Sequence, residues 1–266
     1  MKTKVAVIGA GNLGQAIAEG IVAKGLRSSD EILLTRRSKA SMQHLVDRGY
    51  KVSDDNVAAA SEAGFIFLCV QPKQLEGVLW EIKPHLSEGQ VLVSVITGIS
   101  TDKIYEGVSR DIAVIRAMPN TAIAIGESMT CIAGNGVASH LLEEVKEMFE
   151  SLGQVLIIEE RLMKAATVLG ASGIAFFMRY LRAATQGGIE MGFHPEEAQK
   201  IAVQTAKGAA RLILENKNHP EVEIDRVTTP QGCTIAGLNE MEHQGLSSAL
   251  IKGLLTSFEK INSISS

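Results

Sequence analysis

The chain has 266 residues, 45% of them hydrophobic, with a formal net charge of −4; this suffices for two modest domains with a sizeable core. Acidic and basic residues are interspersed without the basic stripe that a phosphate backbone requires, which argues against nucleic acid as a partner. Cys69, Cys131 and Cys233 are too widely spaced for a disulfide framework or a metal site, and Met1-Lys2-Thr3-Lys4 enters the first strand without an apolar signal core. These features, with Arg179 and Arg182 closing the most apolar later segment, point to a cytoplasmic protein with no membrane association.

Val5-Ala6-Val7-Ile8 reads as a buried strand, Gly9-Ala10-Gly11-Asn12-Leu13-Gly14 as a turn, and residues 15–20 as the start of a helix. Strand, Gly-x-Gly-x-x-Gly and helix in that order suit a dinucleotide pyrophosphate. Gly9 permits the turn, Gly11 lets the phosphates approach, and Gly14 lets helix and strand pack closely. The helix then offers free N–H groups to the anion. A second strand is expected over residues 31–35, ending at Thr35-Arg36-Arg37-Ser38. An NAD site commonly places a carboxylate here for the ribose hydroxyls; two guanidinium groups and two hydroxyls suit a 2′-phosphate better, so NADPH is expected, with NADH possible. The alternative is a pair of solvated arginines on a loop.

Further along, residues 38–48 read as helix, Lys51 and Val52 as a short strand, and residues 58–63 as a short helix. The apolar run at residues 65–70 is a central strand, so Val70, Gln71 and Pro72 at its carboxyl end should lie beside a cofactor. A helix follows over residues 75–86. Strands are expected at residues 91–96, 112–116, 128–133 and 154–158, with a helix at 141–149 before the last. Asn120, just past a strand end, could touch the nicotinamide or the substrate, or could simply make an Asx turn after Pro119.

The strand and helix alternation stops near residue 160, which divides an N-terminal domain (residues 1–160) from a helical one (161–266). Residues 162–191 form a helix apolar on nearly every face, which calls for cover by a partner subunit. Gly170-Ala171-Ser172-Gly173 interrupts it with small residues, where a backbone kinks. Gly192 and Pro195 stop and restart the helix; another runs over residues 198–214, and 216–220 is a loop. In Val227-Thr228-Thr229-Pro230-Gln231-Gly232-Cys233-Thr234, Pro230 and Gly232 force a turn before a helix that begins near Cys233. A helix N-terminus flanked by the hydroxyls of Thr229 and Thr234 is a carboxylate-binding device; the alternative makes Thr234 only an N-cap.

Together these segments, with Arg116-Ala117-Met118-Pro119-Asn120-Thr121-Ala122 and the run from Val227 to Leu238, resemble the pyrroline-5-carboxylate reductase family over essentially the full length. The resemblance implies an α/β fold, with an N-terminal Rossmann dinucleotide-binding domain followed by an all-α C-terminal dimerisation and substrate-binding domain. It implies a homodimer through that domain, in some members a decamer, and NAD(P)H-dependent reduction of a cyclic imine. The glycine loop and Thr35, Arg36 and Arg37 are assigned to the dinucleotide, with Asn56, Val70, Gln71, Pro72, Val95, Ile96 and Thr97. Gly232, Cys233 and Thr234 are assigned to the substrate carboxylate, and the Thr234 hydroxyl to the ring nitrogen. Ile174 and Phe176 stand where the family commonly has proline and tyrosine, and Gln231 where it has glycine. None of the six histidines falls into a catalytic arrangement, so positioning and an anion clamp would carry the chemistry. Two other readings share the layout: a β-hydroxyacid dehydrogenase-like enzyme using Lys164, and a dinucleotide-binding regulator without turnover.

Overall fold

A computed structural model describes residues 4–108 and 112–264; the lead over residues 1–3 lies outside the described residues. Among the described residues there are eight strands: β1 (Val5–Ile8), β2 (Ile32–Thr35), β3 (Lys51–Ser53), β4 (Phe65–Leu68), β5 (Val91–Ser94), β6 (Ala113–Met118), β7 (Ser128–Ala133) and β8 (Gly153–Ile157). They form one sheet in the order β3-β2-β1-β4-β5-β6-β7-β8. All pairings are parallel except β6 with β7. The segment joining those two is too short for a crossover, so the chain turns back on itself.

Helices α1 (Asn12–Ala23), α2 (Gln43–Val46), α3 (Asn56–Glu62), α4 (Pro72–Ile82), α5 (Thr101–Val108) and α6 (Ser139–Glu150) connect these strands. The two-residue period of each strand splits its side chains between two core layers. Val5, Val7, Phe65 and Phe67 pack with Ile17, Ile21 and Phe149 on one face, while Ala6, Ile8, Ile66 and Leu68 pack with Leu79, Ile82 and Ile104 on the other. Strand order reverses between β1 and β4, and the carboxyl ends of β2, β1 and β4 are in register at Thr35, Ile8 and Leu68. A crevice therefore opens there, the usual ligand position of such sheets.

Two expectations change. Residues 38–48 form a 3-10 turn, Lys39–Met42, and a single turn of α2 rather than one helix. The Ser41 hydroxyl donates to the Ser38 carbonyl at 2.7 Å, a local bond that competes with the helical pattern. Helix α5 has no counterpart in the sequence reading, although buried Thr101, Ile104 and Val108 have the spacing of one helix face.

By its own contacts the chain divides into two compact units, Met1–Ser172 with Phe258–Ser266, and Gly173–Ser257. The later helices are α7 (Met163–Ala166), a π-helical stretch at Thr167–Ser172, α8 (Gly173–Glu190), α9 (Pro195–Asn216), α10 (Pro220–Val227), α11 (Cys233–His243) and α12 (Leu246–Ile264). Within the second unit α8 packs on α9, and Gly188 makes this close: a Cβ there would stand 2.9 Å from that of Ala198. Helix α9 opens with Pro195 in its first turn, and the Glu197 carboxylate accepts the His194 N–H at 3.2 Å. Lys217, in the left-handed region at φ 54°, ends it; Pro220, the last residue of the expected loop, then starts α10. The segment Glu160–Glu190 is long and apolar enough to cross a membrane by length and composition, and only 22% of its most apolar window is buried within this chain. Leu169, Phe177, Met178, Tyr180 and Met191 are each more than half exposed.

Candidate active site

The glycine turn is built by backbone constraints. The N–H groups of Gly9 and Ala10 both donate to the Thr35 carbonyl, at 3.1 and 2.8 Å, which ties the turn to the end of β2. Gly9 has φ +101°, and a Cβ on it would lie 2.6 Å from the Cys69 carbonyl oxygen. A Cβ on Gly14 would lie 2.6 Å from the Gly9 carbonyl oxygen. A Cβ on Gly11 would meet nothing within 4 Å, so the space beside Gly11 is open to a ligand. Helix α1 then starts at Asn12, with Gly11 as its N-cap. The N–H groups of Asn12, Leu13 and Gly14 have no intrahelical acceptor, and the arrangement offers them to an anion. The residues present thus fit a pyrophosphate. Gly14→Ala is expected to lower stability by about 1–3 kcal/mol and to weaken dinucleotide affinity as the turn shifts, measured by thermal melting and by titration calorimetry.

A cleft of about 660 Å³ opens over this turn. Of the residues expected from the sequence, Gly9, Gly11, Thr35, Arg36, Arg37, Asn56, Val70 and Gln71 line it. Ala10, Asn12, Leu13, Gly14, Pro72, Val95, Ile96 and Thr97 are not among its lining residues. Ala10 and Gly14 are buried beneath the turn, Pro72 opens α4, and Val95 and Ile96 are buried past the end of β5. Arg36 and Arg37 are exposed at the rim, whereas Thr35 is buried and its hydroxyl donates to Asn56 Oδ1 at 2.6 Å. Asn56 Nδ2 in turn donates to Glu81 Oε2 at 2.9 Å. Glu81 and Asp54 also line the cleft, two carboxylates that the sequence reading did not place there. The hydrogen bond from Lys39, 2.7 Å away, holds the Asp54 carboxyl below its usual range. Burial pushes the Cys69 thiol up to about 12, so it stays protonated and is no nucleophile.

Past the end of β6, Asn120 is engaged at both ends of its side chain. Its Oδ1 accepts the Ala122 N–H at 3.0 Å, capping a 3-10 turn at Thr121–Ile125, and its Nδ2 donates to the Gly170 carbonyl at 3.3 Å. Gly170 lies in the π-helical stretch, whose small residues the sequence marks as a kink; an outside donor serves a carbonyl there. Within β6 itself Arg116 belongs to a pair that the sequence does not suggest. Arg116 Nη1 lies 2.8 Å from Glu160 Oε1, with the side chains 5% and 14% exposed, and the same oxygen accepts the Thr101 N–H at 3.2 Å.

In the second unit, Thr229–Gly232 closes as a turn, with the Gly232 N–H donating to the Thr229 carbonyl at 2.9 Å. Pro230 and a positive φ of 57° at Gln231 are the second and third positions of a type II turn. A glycine would hold the third position without strain; glutamine costs about 1 kcal/mol there. A Cβ on Gly232 would stand 2.5 Å from the Thr229 hydroxyl. Gly232, not Thr234, is the N-cap of α11, which makes Cys233 the first helical residue and Thr234 the second. The cap has no side-chain hydrogen bond, so the first N–H groups of α11 are left for an external acceptor beside an exposed Cys233 and a half-buried Thr234.

A mostly parallel sheet with a glycine turn at its switch point, an arginine rim and a separate helical unit define an NAD(P)H-dependent oxidoreductase. Residues 4–98 match the family described as NADP oxidoreductase, coenzyme F420-dependent, and residues 160–264 match pyrroline-5-carboxylate reductase dimerisation. The chain is 47% identical to pyrroline-5-carboxylate reductase 1 of Dictyostelium discoideum over 98% of its own length, and spans about half (49%) of that relative. It is 45% identical to pyrroline-5-carboxylate reductase 2 of the same organism, over 96% of this chain and 91% of the relative. A solved pyrroline-5-carboxylate reductase from Coxiella burnetii superposes with a TM-score of 0.94 at 26% identity, covering 100% of both chains. The chain belongs to the pyrroline-5-carboxylate reductase family, and the dimerisation match supports homo-oligomerisation.

Proposed function

We propose that this chain reduces 1-pyrroline-5-carboxylate to L-proline, the last step of proline biosynthesis, with NADPH preferred over NADH. The N-terminal domain, residues 1–160, binds the dinucleotide. Residues 161–266 bind substrate and form a cytoplasmic homodimer, with a decamer as its larger assembly and neither nucleic acid nor membrane as a partner. The dimer is where the exposed Phe177, Met178 and Tyr180 of α8 find cover. The observation that carries the reading is the uncapped start of α11 behind the Thr229–Gly232 turn, in a chain of this family.

Bound reduced dinucleotide supplies the hydride. The N–H groups at Cys233 and Thr234 hold the substrate carboxylate, helped by the helix dipole. The hydroxyl of the same Thr234 is able to hold the protonated imine nitrogen or relay its proton. Thr229 shapes the turn that presents these groups, and Asn120 braces the π-helical stretch. No histidine or buried thiol is needed; the rate comes chiefly from positioning.

The test follows NADPH absorbance with the purified protein and pyrroline-5-carboxylate, then repeats it with NADH. Oxidation that is faster with NADPH is expected. Binding of NADPH without turnover would favour the regulator, and turnover of a hydroxyacid instead would favour the dehydrogenase reading.

A further inference from the structure

The two carboxylates in the cleft differ in one respect. Asp54 is paired with Lys39 at 2.7 Å, whereas no ion pair involves Glu81 among the described residues. Glu81 is half-buried on α4 and shares the cleft with Arg36, Arg37 and Ser38. It accepts the Asn56 amide N–H, and the Asn56 amide oxygen in turn accepts the Thr35 hydroxyl. We propose that Glu81 is the specificity-determining residue of this cleft, supplying from α4 the ribose-reading carboxylate that the end of β2 lacks and so admitting NADH beside NADPH. The inference rests on the reading of the cleft as the dinucleotide site.

The chain of donors gives the physical basis. Because Asn56 Nδ2 points to a carboxylate, which only accepts, its Oδ1 must face Thr35. The Thr35 hydroxyl then donates inward, and its proton is not available to a phosphate. A 2′-phosphate therefore relies on Arg36, Arg37 and Ser38 and faces the Glu81 charge across the cleft. A 2′-hydroxyl is a donor and finds in Glu81 an acceptor of the kind NAD sites use. Both effects favour NADH relative to NADPH, so removal of the charge acts in one direction.

Glu81→Gln keeps the size of the side chain and an oxygen that accepts the Asn56 N–H, but removes the charge. Calorimetric titration of the intact protein with NADPH and with NADH is expected to show the ratio of Kd(NADH) to Kd(NADPH) rising about tenfold in Glu81→Gln, the scale of one charge-assisted hydrogen bond. The same ordering is expected with the fragments 2′,5′-ADP and 5′-AMP, and the gain in the phosphorylated member shrinks with added salt. A ratio within about twofold of the unmodified protein, with both dinucleotides still bound, would overturn the proposal. So would an unchanged ratio in Glu81→Gln accompanied by a lower melting temperature in Glu81→Ala, because that result makes Glu81 a structural brace for Asn56. If the unmodified protein bound neither dinucleotide, the assignment of the cleft itself would fall, and the inference with it.

Discussion

Arg116→Met is expected to cost about 3–5 kcal/mol of stability, because it strands the Glu160 carboxylate in a site where that group is only 14% exposed. The pair joins three parts of the first unit: the carboxyl end of β6, the first residue of α5 through the Thr101 N–H, and the segment at Glu160 that leads into α7. It is not a generously satisfied pair. Among the described residues neither Arg116 Nε nor Glu160 Oε2 has a hydrogen-bond partner. Its value therefore lies in mutual compensation more than in net attraction, and the cost falls on whichever charge is left alone. Thermal melting should register a loss on the order of 10 °C for Arg116→Met. The double variant Arg116→Met with Glu160→Met should regain most of it, since two apolar side chains of similar volume remove both desolvated charges together. A double variant no better than the worse single one would mean that the Thr101 contact, and not charge compensation, is what Glu160 contributes.

What the sequence made legible follows from the range of the physics involved. The four strands at Val5, Ile32, Phe65 and Val91 each show as apolar runs, because a strand buried on both faces leaves no room for charge. The glycine turn was readable in part from local constraints: Gly9 has φ +101°, and the Gly9 carbonyl and Val7 exclude a Cβ at Gly14, whereas the Cys69 carbonyl that excludes a Cβ at Gly9 comes from past the end of β4. Glu81 was not readable. On α4 it looks like an ordinary polar position beside exposed Trp80, and only the fold sets it against Asn56, 25 positions earlier in the chain. Arg116 and Glu160 are 44 positions apart and separately resemble surface charges. The π-helical stretch lies between these cases. Its small residues marked a weak point in the helix, but the bond from Asn120 that serves it comes from another element. The start of α11 at Cys233 was legible from Pro230 and Gly232, but the left-handed backbone of Gln231 between them was not, because a non-glycine residue rarely takes it.

The Gly232 cap makes the role of Thr234 separable from folding. Were Thr234 the N-cap, its removal would cost the helix about 1 kcal/mol or more and confuse any kinetic result. With Gly232 as the cap, Thr234 is the second helical residue, and alanine is at least as good a helix former there. Thr234→Ala is therefore expected to keep its melting temperature while kcat/KM for imine reduction falls about 100-fold, as when a positioned proton donor is lost. The Kd for NADPH, measured by calorimetry, should stay within about twofold, a margin that allows for small shifts only. Thr234→Ser should recover most of the rate, because the hydroxyl and not the methyl group does the work; the residual deficit reports the freer rotamer of serine. Equal losses of NADPH affinity and of imine reduction would place Thr234 on the dinucleotide instead. A fall in melting temperature matching the fall in rate would return it to a structural role.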